Sequence, residues 1–326
     1  MSESVATDPP PSSGSRALVT SSPPPPTGSG PRWRLGGLLR TARPHQWVKN
    51  VFVLAPVVFA KSVFDPAVWV GATLAFVSFC LLAAAVYTIN DLADVEDDRR
   101  HPVKRYRPIA AGRVSESAAK ALLVGLVVTG LGLACLGPLS FVLTVAGYFV
   151  MNLAYSFKLK DIAYLDVSII SAGFVLRVLA GGFATGIVVS NYLFVCTALL
   201  ALFLGFGKRR HELAVASASG KTRASLKKYS ERGLDVSLRV TAFLTIAVYL
   251  AYTLDSNTIA FFQSDRLWLT TAFVGLGVWR FLYLVQSRPK AESPTQEMVG
   301  DGAFVAIMLG WIVVVMWIVY NLAPRT

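Results

Sequence analysis

A chain of 326 residues with 54% hydrophobic and only 15% charged residues, and a mean hydropathy of +0.55, is not an ordinary soluble domain, which carries about a quarter charged residues. Its net charge of +12 is spread between long apolar runs, so no compact basic face exists to hold nucleic acid. Cys80, Cys135 and Cys196 each stand alone inside an apolar run, which excludes a disulfide framework or a cysteine metal site and reads as core filler.

Residues 1–31 are rich in Pro, Ser and Gly and cannot bury enough apolar surface to fold. They also lack the apolar stretch of a signal peptide. A disordered cytoplasmic tail is expected over 1–39, followed by a single transmembrane domain over 40–326. Apolar runs follow near 48–63, 67–89, 118–137, 139–156, 164–186, 190–207, 237–254, 267–285 and 303–321. Period-two alternation is absent, so these are helices rather than barrel strands. The first run is the weakest, being short and carrying Lys49, Asn50 and Pro56, where a helix needs ~20 apolar residues to cross.

Loop charge tests the count. With the N-terminus inside, segments 1–47, 90–117, 157–163, 208–236 and 286–302 hold five, six, two, eight and two Lys or Arg. The opposite segments, 64–66, 138, 187–189, 255–266 and 322–326, hold none, none, none, one and one. The positive-inside rule allows one orientation for such a bias. The expected fold is therefore all-α: a nine-helix polytopic bundle in the plasma (inner) membrane, with the N-terminus cytoplasmic and a central cavity open to that side.

The second run leads directly into YTINDLADVEDDRRHPVKRYRPIAAGRV. On a continuing helix Asp91, Asp94 and Asp98 fall at i, i+3 and i+7, sharing one face over about 10 Å. Three carboxylates on one stripe repel unless a cation sits among them. Hard oxygen ligands without nearby His or Cys favour Mg²⁺, which shares its shell with substrate phosphates. The bland alternative is a solvated interfacial loop, and the Asn90-Asp91 pair at a membrane helix end argues against it. Of the basic residues that follow, Arg105, Arg107 and Arg113 are the candidates to neutralise phosphate oxygens, as arginine forks do bidentately.

Further along, AYSFKLKDIAYLDV sets Tyr155, Lys158, Lys160, Asp161 and Asp166 on the same side. Asp166 begins a span in which Arg177, eleven residues on, shares its face roughly 16 Å deeper. A membrane-buried arginine is costly, so Arg177 is either a buried structural partner or an anion ligand lining a polar cavity. Lys49 either joins the site or snorkels to the interface. Lys208, in GFGKRRHEL, either joins the site or anchors the helix end, and His211 is expected to face solvent.

These segments resemble the UbiA superfamily of intramembrane prenyltransferases. Residues 90–98, NDLADVEDD, match its NDxxDxxxD motif at every defined position, and RYRPIAAG resembles its downstream loop. Within the superfamily, RPHQWVKNVFVLAP, VLRVLAGG and GKRRHEL look like the decaprenyl-phosphate phosphoribosyltransferase branch. Members of that branch transfer 5-phosphoribose from phosphoribosyl diphosphate (PRPP) to a polyprenyl phosphate, for cell-envelope polysaccharide precursors. The resemblance implies that Asp91, Asp94 and Asp98 hold Mg²⁺ and diphosphate. The superfamily's second motif is often DxxxD; here Asp161 and Asp166 are five apart, which favours Asp166 as the second catalytic acid.

Basic candidates on several segments suit a substrate set with three anions better than one with a single diphosphate. An aromatic prenyltransferase acting on a prenyl diphosphate is the nearest rival. A lipid transporter would need ionisable residues toward both faces, and the outer half has few. Gly173, Gly181, Gly182 and Gly186 permit close helix packing within one chain or in a homo-oligomer.

Overall fold

The computed structural model describes residues 31–101, 103–219, 226–287, 297–298 and 300–320. The tail over 1–30, the middles of two basic loops (220–225 and 288–296) and the segment 322–326 therefore lie outside the described residues. The tail does not extend to 39, because helix α1 covers Pro31–Ala42. Leu38 and Gly37 pack it inward, Gly37 lying so close to Val114 that a Cβ would stand 2.8 Å from its methyl.

A 3-10 segment, Pro44–Leu54, and the short helix α2, Ala55–Phe59, follow. Next come α3 (Pro66–Ala93), α4 (Val95–Arg100), α5 (Glu116–Ala134), α6 (Leu139–Phe157), α7 (Leu165–Thr185) and α8 (Asn191–Ser219). The chain ends with α9 (Glu231–Leu254), α10 (Ser256–Phe262), α11 (Thr270–Ser287) and α12 (Gly302–Val319).

Among the described residues eight helices are long and apolar enough to cross a membrane. The ninth expected crossing is made differently. At its start Arg43 pairs with Asp91, and at its end Tyr320 donates to the Val58 carbonyl and Lys61 to that of Phe262. Residues 44–59 thus run from the aspartate end of the bundle to the opposite end. A 3-10 helix rises ~2.0 Å per residue against ~1.5 Å for α, so this short run extends about 30 Å, the thickness of a hydrocarbon core. Pro44 and Pro56, which cannot donate backbone hydrogen bonds, suit it to this stretched form.

The two largest cores tie most of the bundle together. One joins α3, α5, α6 and α7 to the 3-10 segment through Val53, Phe79, Leu82, Phe141 and Tyr148; the other joins α7, α8, α9 and α11 through Val167, Phe203, Leu238 and Phe281. Two glycines of α7 serve packing within the chain: a Cβ on Gly181 would stand 1.8 Å from the Val53 carbonyl oxygen, and one on Gly182 2.5 Å from a Val189 methyl. Of the cysteines only Cys80 is buried; Cys135 is exposed and Cys196 half-buried, so the core-filler expectation holds for Cys80 alone.

Candidate functional site

α3 stops at Ala93 and α4 begins at Val95, with Asp94 at the junction. The break is small, because Asp94 N still donates to Asn90 O (2.9 Å) and Asp98 N to Asp94 O (2.8 Å). The helical stripe therefore survives: Asp91 and Asp98, each 2% exposed, are bridged by one guanidinium. Arg107 Nη1 lies 3.1 Å from Asp91 Oδ1 and 2.7 Å from Asp98 Oδ2. Asp94 is half-buried beside them.

A second cation on this face was not singled out from sequence. Arg43, at the end of α1 in the left-handed region (φ 50°, ψ 60°), places Nη2 2.6 Å from Asp91 Oδ1 and stacks over Tyr87. Its one sequence signal is the following Pro44, which bars an α conformation at residue 43 and breaks the helix there.

Among the described residues no three His, Cys, Asp or Glu side chains form a ready metal cage, because Arg107 sits between the carboxylates. The chemistry of the donors nonetheless fits a hard divalent cation. Asp91 Oδ2 is buried without a hydrogen-bond partner, and the set is entirely carboxylate oxygen. Arg113 is half-buried and donates to the Tyr106 carbonyl (2.9 Å), whereas Arg105 is exposed and stacks on Tyr106, away from the aspartates.

The second acid is held inside the bundle. Asp166 is fully buried and ion-paired with Arg209 (Nε to Oδ2, 2.9 Å), itself 1% exposed and also paired with Glu212. Nε and Oδ2 meet as charges without hydrogen-bond alignment. Tyr229 donates to Asp166 Oδ1 at 2.5 Å and accepts from the Tyr164 backbone N–H at 2.6 Å. Burial and the Asp166 bond push the Tyr229 phenol well above its ordinary pKa. So placed, Asp166 clasps α7 to α8 and to the turn before α9.

Arg177 is also engaged inside the bundle. It donates to Asn50 Oδ1 (2.8 Å), Gly173 O (2.8 Å) and Tyr148 Oη (2.7 Å), and faces the Phe79, Tyr148 and Phe174 rings. Asn50 passes the link on to Cys80 Sγ at 3.2 Å. Arg177 thus ties the 3-10 segment, α6 and α7 together.

Lys49 lies within electrostatic reach of Lys208, Arg177 and Arg43, so this basic group converges near the aspartate end. Tyr155 lies within reach of Arg209. Lys158 is exposed, Lys160 and Asp161 are half-buried on the α6–α7 turn, and no ion pair among the described residues ties them to the aspartates. His211 is 2% exposed rather than solvent-facing, buried within the bundle.

Eight long apolar helices and a stretched ninth crossing define a multi-pass integral membrane protein, with its charged site at one end of the bundle. The model of the UbiA prenyltransferase family matches residues 51–306, and the chain belongs to that family. The decaprenyl-phosphate phosphoribosyltransferase of Mycolicibacterium smegmatis is 35% identical over 296 residues, spanning 88% of this chain and 93% of its own. That of Mycobacterium tuberculosis is 37% identical over 251 residues, spanning 75% and 83%. A UbiA homolog from Archaeoglobus fulgidus, solved bound to GPP and Mg²⁺, shares the fold with TM-score 0.66 at 20% identity, over 87% of this chain and 99% of that one. The same homolog has also been solved bound to Cd²⁺.

Proposed function

We propose that the protein transfers 5-phosphoribose from PRPP to a polyprenyl phosphate, releasing diphosphate. The observation that carries this reading is the 35–37% identity, over most of both chains, to relatives that bear that activity in their names. The site suits it chemically. Asp91, Asp94 and Asp98 would hold Mg²⁺, which when bound supplies positive charge to the diphosphate leaving group. Arg43 and Arg107 flank the same carboxylates and, turned toward substrate, stabilise charge as the C1–O bond lengthens. The ribose becomes oxocarbenium-like, and the lipid phosphate attacks the opposite face with inversion. That phosphate is anionic at neutral pH, so no strong general base is required. Lys49 and Lys208, on the 3-10 segment and α8 and within electrostatic reach of each other, would receive it. The lysine and arginine bias of the loops supports a cytoplasmic site in the inner membrane.

The test is purified protein offered labelled PRPP with a polyprenyl phosphate, against prenyl diphosphate with an aromatic acid. Label in the lipid phosphate product is expected from the first pair alone, and Asp94→Ala should abolish it while the protein stays folded in detergent. Transfer only from prenyl diphosphate, or full activity in Asp94→Ala, would overturn the reading.

A further inference from the structure

Beside the aspartate face, α1 and the turn over 103–113 line an open cleft of about 650 Å³, within the size range of small-molecule sites. Its charged walls are Arg40, Arg43, Arg107 and Arg113 against one carboxylate, Asp91. Arg43 and Arg107 are spoken for by the aspartates, and Arg113 donates to Tyr106 O. Arg40 has no ion pair among the described residues, and it lies within electrostatic reach of the like-signed Arg113. Burial and the Arg40 charge both depress the Arg113 guanidinium. The juxtaposition is built by the fold: Gly37 lets α1 lie against Val114 and Arg113, bringing Arg40 opposite Arg113 one helical turn on. Even with Asp98 paired to Arg107, four guanidiniums outnumber the two carboxylates that they meet, and a phosphate among them relieves the excess positive charge.

A phosphoribosyl donor carries such a phosphate on C5, one sugar ring away from its diphosphate. A prenyl diphosphate carries none. We propose that Arg40, facing Arg113 across this cleft, seats the 5-phosphate of the donor and is thereby a specificity-determining residue. This rests on the function proposed above. With the diphosphate on the Asp91–Asp98 face and the 5-phosphate on Arg40, the ribose lies between them and its C1 is turned toward the bundle interior.

A phosphate on α1 could also come from a lipid headgroup, since Leu35 and Leu39 on that helix are exposed. The experiment separates the two sources. Transfer is measured for wild type, Arg40→Ala and Arg40→Lys with PRPP and with ribosyl 1-diphosphate, which lacks the 5-phosphate. Each assay is run in neutral detergent and in vesicles containing anionic lipid. A charge-assisted contact predicts that Arg40→Ala lowers the kcat/KM ratio of PRPP to ribosyl 1-diphosphate about ten-fold or more, mainly through KM, in both media. Arg40→Lys should recover part of that ratio. An unchanged ratio, or an effect confined to anionic vesicles, overturns the assignment. Wild-type protein inactive with both donors but active with prenyl diphosphate refutes the underlying function, and this assignment with it.

Discussion

Asp166→Ala separates a structural acid from a catalytic one. The carboxylate is fully buried and holds three groups: Arg209 at 2.9 Å, the Tyr229 hydroxyl at 2.5 Å and the Val167 backbone N–H at 2.8 Å. Removing one partner of a buried ion pair costs about 3–5 kcal/mol, chiefly because a charge is left uncompensated. Glu212 remains on Arg209, so the loss should lie near the lower end, ~3 kcal/mol. Replacing both partners with apolar residues of similar size removes the stranded charge and is often neutral. Asp166→Leu with Arg209→Met should therefore recover most of the stability lost in Asp166→Ala. The assay is unfolding in detergent, followed by intrinsic fluorescence, beside transfer activity per folded molecule. The expected pattern is a destabilised single variant, a largely restored double variant and measurable turnover in both. A single variant as stable as wild type but devoid of turnover would refute the reasoning and return Asp166 to the substrate.

Arg107→Ala frees Asp98 and one side of Asp91. Manganese binding followed by electron paramagnetic resonance without substrate should tighten several-fold while transfer falls; unchanged binding would show that Arg107 does not compete with the metal. Gly181→Ala drives a methyl into the Val53 carbonyl and should cost at least the ~1–3 kcal/mol typical of overpacking, read as lower thermal stability in detergent. Tyr148→Phe removes one of three acceptors from Arg177 and should cost about 0.6–1.7 kcal/mol, the range for hydrogen bonds between membrane helices.

What could be read from one sequence was whatever is local. Apolar run length gave the spans, and loop charge gave nine crossings. The spacing of Asp91 and Asp98 put them on one stripe, where Arg107 now joins them. Contacts distant along the chain were beyond reach: Asp166 with Arg209 and Tyr229, and Arg177 with Asn50, join residues that no periodicity relates. A buried charge read alone signals function or structure equally, and only its partners decide between them. Arg177 and Asp166 both had partners that account for their burial. Arg43 was hidden differently, since its role depends on a left-handed turn after α1 that returns a terminal arginine to the end of α3.

The stretched first crossing has a consequence for how the chain is made. Emerging from the ribosome, residues 44–59 present the translocon with a short hydrophobic stretch bearing Lys49 and Asn50. A lysine opposes insertion by about 2.5–3.5 kcal/mol at the centre of a span, and by less near its end, where Lys49 lies. The groups that satisfy this segment lie downstream: Cys80 on α3 and, much later, the α7 residue Arg177 and the Gly181 notch that receives Val53. This segment is thus seated only after α7 has been made, and a topology reporter fused after residue 65 should translocate poorly until the chain through residue 185 follows.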